Sequence, residues 1–303
     1  MRVSKEKRQK KIVLLLYLFP FLLFTMIFSY APLFGWTYAF FDFSPGMPLS
    51  QLKFVGLKFF ALIFDGATDF VNVLTNTLAI STLGLLCSVV PVVFAIMVSQ
   101  MRFRWLSKTV QTISSIPNFI SWVLVYAIFF SMFSTNDGVV NQALLNLRLV
   151  KQPVDLLGNV PYAWYVQTMI GVWKGTGWGA IIYLASIAGI DTELYDAADV
   201  DGANRWHKII HITLPGIAST YLVLLLLAIA NILSNGFEQY WVFQNALTRD
   251  KLEVFDTYVY RLGMINMQYS FSTAMGIFKS VISIILLTFA NFMSKIIRGY
   301  SII

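Results

Sequence analysis

Apolar residues gather in this chain into six long runs of about 20 residues, near 12–34, 72–99, 110–133, 162–188, 216–236 and 274–294. A helix needs about that many apolar residues to cross roughly 30 Å of hydrocarbon. The pattern predicts an all-α, polytopic membrane protein with six transmembrane helices. The length of 303 residues would allow two soluble domains, yet the polar intervals are too short to fold separately. The chain therefore reads as one transmembrane domain over 1–303. Composition agrees: 57% hydrophobic, 12% charged and a mean hydropathy of +0.69 are far from a soluble globular chain.

Charge then orients the helices. With the N-terminus inside, the cytoplasmic side carries thirteen Lys and Arg: Arg2, Lys5, Lys7, Arg8, Lys10, Lys11, Arg102, Arg104, Lys108, Arg205, Lys208, Lys295 and Arg298. The outer side carries seven, namely Lys53, Lys58, Arg148, Lys151, Arg249, Lys251 and Arg261. Because basic residues favour cytoplasmic loops, both termini and segment 189–215 are expected inside. This basic rim, facing anionic lipid headgroups, accounts for the net charge of +7 without any nucleic-acid partner. The Lys-rich start followed by Ile12 to Phe28 also has the outline of a cleavable leader. Pro32, directly after the small Ala31, disfavours cleavage there, so the segment reads as the first span.

The polar segment between the fourth and fifth runs holds the most specific pattern. Asp196-Ala197-Ala198 is followed after three residues by Gly202, and after nine more by Ile212-Thr213-Leu214-Pro215. Asp191, Glu193, Asp196 and Asp199 crowd the opening turns of a short helix, where carboxylates meet the positive end of its dipole. Gly202 is the natural stop, since glycine takes a left-handed conformation without steric cost. Ala203 to Leu214 reads as a second helix carrying Arg205, His207, Lys208 and His211, ended by Pro215. Such a helix, turn, helix knob is too polar for lipid and projects into a partner. His207 and His211 have the i, i+4 spacing of a metal pair, but with no third ligand nearby they are expected to face the partner or solvent.

This spacing resembles the E-A-A, x3, G, x9, I-x-L-P loop that bacterial ABC importer permeases present to their ATPase, with Asp196 where the family usually has Glu. The resemblance marks Asp196, Ala197, Ala198, Asp201, Gly202, Ala203, Ile212, Leu214 and Pro215 as the ATPase-coupling residues. Ile116-Pro117-Asn118-Phe119-Ile120-Ser121-Trp122-Val123, Asp137-Gly138-Val139-Val140-Asn141, Gly177-Trp178, Ile182-Tyr183-Leu184-Ala185 and Asp256-Thr257-Tyr258-Val259-Tyr260 are similar to MalF-like carbohydrate permeases. Within that family they resemble the lipoprotein-fed branch for complex oligosaccharides and polysaccharides. The resemblance implies a type I ABC importer permease in the bacterial plasma membrane. It would work with a second, related permease, two cytoplasmic ATPase subunits and an extracellular solute-binding protein. Oligosaccharide would be the substrate, ATP and Mg would sit on the ATPase, and this chain would carry no cofactor. A permease for a polyol phosphate or a polyamine shares the loop. A secondary, ion-coupled transporter remains a different class, which would show repeats, broken helices and buried carboxylates near midspan.

Polar and aromatic residues inside the spans are candidates for a substrate pathway. Asn118, Trp122 and Tyr126, at i, i+4, i+8, place an amide and two amphipathic rings on one stripe. Rings stack on sugar faces and amides bond hydroxyls, although an interfacial aromatic belt explains Tyr126 as well. Asn231, Asn235, Glu238, Gln239, Tyr240 and Trp241 form a second cluster at the outer end of the fifth run. Gly171, Gly175 and Gly179 bare one helix face for close packing. Lys174 and Lys279 fall inside spans, where an ammonium costs about 2.5–3.5 kcal/mol at a helix centre. Either an anionic sugar offsets that cost from a cavity, or Lys174 stacks over Trp178 as a cation–π pair while Lys279 snorkels to an interface. No phosphate-binding Gly-x4-Gly-Lys-Ser/Thr, His-Glu-x-x-His, Gly-x-Ser-x-Gly or Cys-x-x-Cys motif occurs, so no enzyme is expected. Cys87 alone allows neither an intrachain disulfide nor a Cys-based metal site.

Overall fold

The computed structural model describes residues 5–65 and 69–298. The chain divides into two compact units, Met1–Thr68 with Val259–Phe278, and Asp69–Tyr258 with Lys279–Ile303.

In the first unit the helix Lys5–Thr25 passes through a π turn, Met26–Tyr30, into a 3₁₀ stretch, Ala31–Phe40. Its apolar part, Lys10–Phe40, has almost no protein cover, as a surface facing lipid or a partner would. A two-rung antiparallel clip follows, Phe41–Asp42 paired with Lys53–Phe54. The pattern of long apolar runs predicts no strand, and this one is too short to leave a period-2 signal. Ser270 ties the clip to the first turn of Tyr269–Arg298, accepting from the Phe43 N–H at 3.0 Å and donating to the Phe41 carbonyl at 2.7 Å.

In the second unit Ala163–Ala188 is the central helix. Around it stand Phe70–Leu86 with Val89–Ser99, then Arg104–Phe119 with Trp122–Phe133, and Leu214–Ala230. Val92, Ala95, Ile96, Ala180, Tyr183 and Ile217 form one buried core and Val125, Val166, Ile170 and Phe243 another. Asn76, fully buried, donates to the carbonyls of Asp250 and Glu253 at 2.8 and 3.1 Å, and Thr77 accepts the Phe255 N–H at 2.9 Å. These bonds fasten the short helix Arg249–Leu252 and the start of Phe255–Tyr260 to the Phe70–Leu86 helix.

Three expectations change. Among the described residues four helices are long and apolar enough to cross a membrane, Lys10–Phe40, Phe70–Ser99, Arg205–Ala230 and Tyr269–Lys295. The run 110–133 is not one helix but Arg104–Phe119 and Trp122–Phe133, bent by 102°, which would add a fifth crossing if counted as one. Pro117 removes a helical donor, Ile120 and Ser121 are extended, and the Ser121 hydroxyl caps the next helix by accepting from Leu124 N at 3.4 Å. The run 162–188 does form a helix, about 39 Å long at 1.5 Å per residue. Gln167, Lys174 and four glycines leave it short of the apolar content of the others. Its polar residues Gln167, Thr168 and Lys174 lie on the buried face, while its exposed face carries Tyr165, Met169, Trp173, Trp178 and Ile182. Pro215, finally, does not end the second loop helix. Arg205–Lys208 runs through a π turn, Ile209–Thr213, into Leu214–Ala230, where Pro215 occupies the first turn. A π turn re-registers the carbonyls ahead of it, so the donor that proline lacks is not missed.

Candidate functional site

Segment 191–215 is cross-linked by local hydrogen bonds and one ion pair. The Asp191 carboxylate accepts from the Glu193 N–H at 3.0 Å and caps Thr192–Val200. Gly202 stands at φ +73°. Around it Ala203 N bonds Ala198 O at 2.8 Å and Gly202 N bonds Asp199 O at 3.1 Å, the paired closure of a Schellman turn. Asn204 caps the next helix, its Oδ1 accepting from His207 N at 3.0 Å and facing the His207 ring Nδ1 at 2.9 Å. An ion pair between Lys208 and Asp199 joins the two helices, and Tyr195 and Thr213 hydroxyls meet at 3.0 Å. At the base Gly216 lets Ile190 approach, since a Cβ there would lie 2.5 Å from Ile190 Cδ1.

Between the helices lies a groove of about 400 Å³, lined by Ala198, Asp201, Gly202, Ala203, His207, Lys208, His211 and Ile212. Five of the nine expected coupling residues line it. Asp196 and Ala197 are exposed on the first helix, and Leu214 and Pro215 lie in the helix beyond. The two His rings stack at 6.0 Å and face the groove. The motif omits the most exposed apolar residues of the knob, Val200 at 88% and Trp206 at 73%. Their signal in the sequence is apolar character inside an otherwise charged segment, and tryptophan is among the residue types enriched where proteins dock.

A second concavity, of about 440 Å³, opens between Phe70–Leu86, Ala163–Ala188 and the 228–240 segment. Its polar wall comprises Ser81, Ser88, Gln167, Thr168, Thr176, Asn231, Ser234, Asn235, Gln239 and Tyr240, its apolar wall includes Ile80, Leu85, Pro91, Val172 and Ile232, and among the described residues no charged side chain lines it. Gln239 donates to Gln167 O at 2.8 Å and Gln167 Oε1 at 3.0 Å, and Asn235 donates to Ser81 Oγ at 2.8 Å. Gly171 and Gly175 line this space, so two of the three stripe glycines bare a cavity wall instead of a helix contact. The close approach falls on Gly177, off the stripe, where a Cβ would come within 2.6 Å of Ser115 N and nearer still to the Ser114 carbonyl.

Of the expected pathway residues, Asn235 and Tyr240 line the cavity. Glu238 is exposed, on the same short helix, Glu238–Phe243. Asn118, Trp122 and Tyr126 do not share a stripe, because the 102° bend separates Asn118 from the two rings. Trp122 and Tyr126 pack edge-on against Phe243, with ring centroids 6.4 and 5.2 Å away. Lys174, 7% exposed, is absent from the cavity wall. It donates to the Asn118 carbonyl at 2.8 Å and lies over the Trp122 ring at 5.1 Å. The expected Trp178 partner is half exposed and meets Phe119 edge-on. Trp178, one turn on, packs on Phe119 instead, whereas the bend brings Trp122 over the ammonium.

Lys279 does not snorkel: it pairs with Asp256, whose other oxygen accepts the Gly236 N–H at 3.2 Å. Asp256→Ala would strand the ammonium, which is about one-fifth exposed. The expected loss is near the low end of the ~3–5 kcal/mol typical of a broken buried pair. Thermal unfolding in detergent should show that loss and its partial recovery in Asp256→Ala with Lys279→Met; equal midpoints for wild type and Asp256→Ala would contradict it.

Residues 91–299 match the family described as binding-protein-dependent transport system inner membrane component. The chain belongs to that family. LplB of Bacillus subtilis (strain 168) is 39% identical, with 95% of this chain and 90% of that protein covered. The polygalacturonan/rhamnogalacturonan transport system permease protein YteP of the same organism is 36% identical over 96% and 92%. A solved bacterial alginate ABC transporter, in complex with an alginate pentasaccharide-bound periplasmic protein, contains a chain that matches with a TM-score of 0.88. That match has 33% identity and covers all of both chains. This permease is therefore a multi-pass membrane subunit of an ABC importer with the type I fold, a transport component and not an enzyme.

Proposed function

We propose that this permease carries oligosaccharides, with uronate-bearing glycans as the substrate class, through a path whose wall on this chain is the 440 Å³ cavity. The observation that carries the reading is the chemistry of that wall: amides, hydroxyls and bare glycine backbone set among apolar side chains such as Ile80, Leu85, Pro91, Val172 and Ile232, with no charge among the described residues. Neutral amides and hydroxyls exchange hydrogen bonds with sugar hydroxyls, and amide N–H groups also solvate a carboxylate without trapping it as a fixed cation would. Relatives named for polygalacturonan, rhamnogalacturonan and alginate support the acidic class. In this reading a second permease completes the path, an extracellular solute-binding protein delivers the glycan, and two ATPase chains holding ATP and Mg grip segment 191–215. Both termini then lie in the cytoplasm, a placement that the distribution of Lys and Arg supports.

The test is uptake by the reconstituted importer. Labelled oligogalacturonate should enter proteoliposomes with ATP inside, and a neutral oligosaccharide of equal length should enter more slowly. Preference for the neutral sugar, or for a polyamine, would reject the substrate class. Gln239→Leu keeps the volume but removes the amide that faces Gln167. It should cut uptake about tenfold, roughly what one hydrogen bond is worth, with the complex assembled in normal amount.

A further inference from the structure

The Lys174 ammonium touches both limbs of the broken span from a third helix. Asn118 lies in the last turn of Arg104–Phe119, where carbonyls lack helical partners and the dipole's negative end attracts a cation. Trp122 is the first residue of Trp122–Phe133. Between them Ile120 and Ser121 are extended. Three residues beyond Lys174, Gly177 brings the same helix into backbone contact with Ser114 and Ser115. The Ala163–Ala188 helix thus grips the first limb twice and the second through the indole. The contact continues: Trp122 and Tyr126 pack on Phe243, at the end of the short helix that carries Gln239 and Tyr240 in the cavity wall.

We propose that Lys174 is a positioning residue for transport. It sets the angle between the two limbs, and through Trp122 and Phe243 the placement of Gln239 and Tyr240. Lysine suits this because one ammonium serves a carbonyl and an aromatic face at once. The role rests on the chain's reading as a transport subunit but not on the identity of the sugar.

The experiment reads the bend directly. In a Cys87→Ser background, spin labels at the exposed positions Ile113 and Val123 report the inter-limb distance in the full permease assembled with its partners. The wild-type distribution should be narrow, broaden in Lys174→Met and in Trp122→Leu, and narrow again in Lys174→Arg. Unchanged widths in Lys174→Met and Trp122→Leu overturn the proposal whatever the substrate is. Uptake supplies the second arm. Lys174→Met should lower entry of acidic and neutral oligosaccharides by the same factor, and adding Trp122→Leu should lower it no further, as for two members of one unit. Loss confined to the acidic sugar would make Lys174 a substrate ligand, and additive losses would separate it from Trp122; both overturn the proposal. If Lys174→Met fails to assemble, Trp122→Leu alone decides: a wild-type distance and wild-type uptake in that variant reject the proposal.

Discussion

Gly202→Val is expected to leave the permease in the membrane and assembled while reducing substrate-stimulated ATP hydrolysis to its basal level. The backbone at 202 has φ +73°, a conformation that costs a residue with a Cβ about 1–2 kcal/mol, and β-branching makes it worse. Valine therefore drives the turn toward negative φ. The closing bonds from Ala203 N to Ala198 O and from Gly202 N to Asp199 O cannot survive that rotation. Without them Val200 and Trp206, on either side of the turn, lose their common orientation, and the groove between the two helices opens. Space is not the issue, since nothing lies within 4 Å of a Cβ there. Gly202→Asn, which accepts the left-handed conformation more readily, should consequently keep most of the coupling. Vanadate-sensitive hydrolysis with and without substrate, measured in proteoliposomes, separates the variants. Full stimulation in Gly202→Val would refute a coupling role for this turn.

Two glycines only two residues apart should respond differently to alanine. Gly177→Ala places a methyl against the Ser114 carbonyl and Ser115 nitrogen. Both are backbone atoms of a packed helix and cannot step aside. Overpacking of this kind typically costs about 1–3 kcal/mol and occasionally more. The same contact anchors the limb that ends at Asn118, so the expected result is a lower thermal midpoint and less folded protein in the membrane. Gly175→Ala meets nothing within 4 Å. It gains the helix propensity of alanine over glycine, about 0.5–1 kcal/mol, and should be neutral or slightly stabilising. Fluorescence-detected size exclusion after a temperature series compares the two, and a Gly177→Ala midpoint at or above wild type would show that the helices part more easily than their packing suggests.

The class of protein and the helix, turn, helix form of segment 191–215 were legible in the order of residues because both rest on local physics. Helices of apolar residues follow from hydrogen-bond closure in lipid, so runs such as 72–99 and 274–294 mark helices wherever they occur. The Gly202 turn follows from one residue's freedom at φ > 0, and the Asp191 cap from one carboxylate beside its own chain. Local rules did not extend to Pro215, which punctuates most helices yet sits comfortably after a π turn, nor to Ser121, whose hydroxyl caps a new helix in the middle of an apolar run. The partners of the buried charges lay further out of reach. Asp256 and Lys279 are 23 residues apart and Lys174 and Asn118 56 apart, and nothing in either sequence neighbourhood points to the other. Helical periodicity put Trp178 beside Lys174 and Asn118 in line with Trp122. Both were reasonable for straight helices, and the 102° bend reversed both. Sequence by itself determined a membrane permease with a glycine-closed turn between two polar helices. Which glycines bare a cavity, which one locks two backbones together, and which ring covers the lysine were decided only where the central helix meets the broken one, because those contacts depend on the angle at which helices cross.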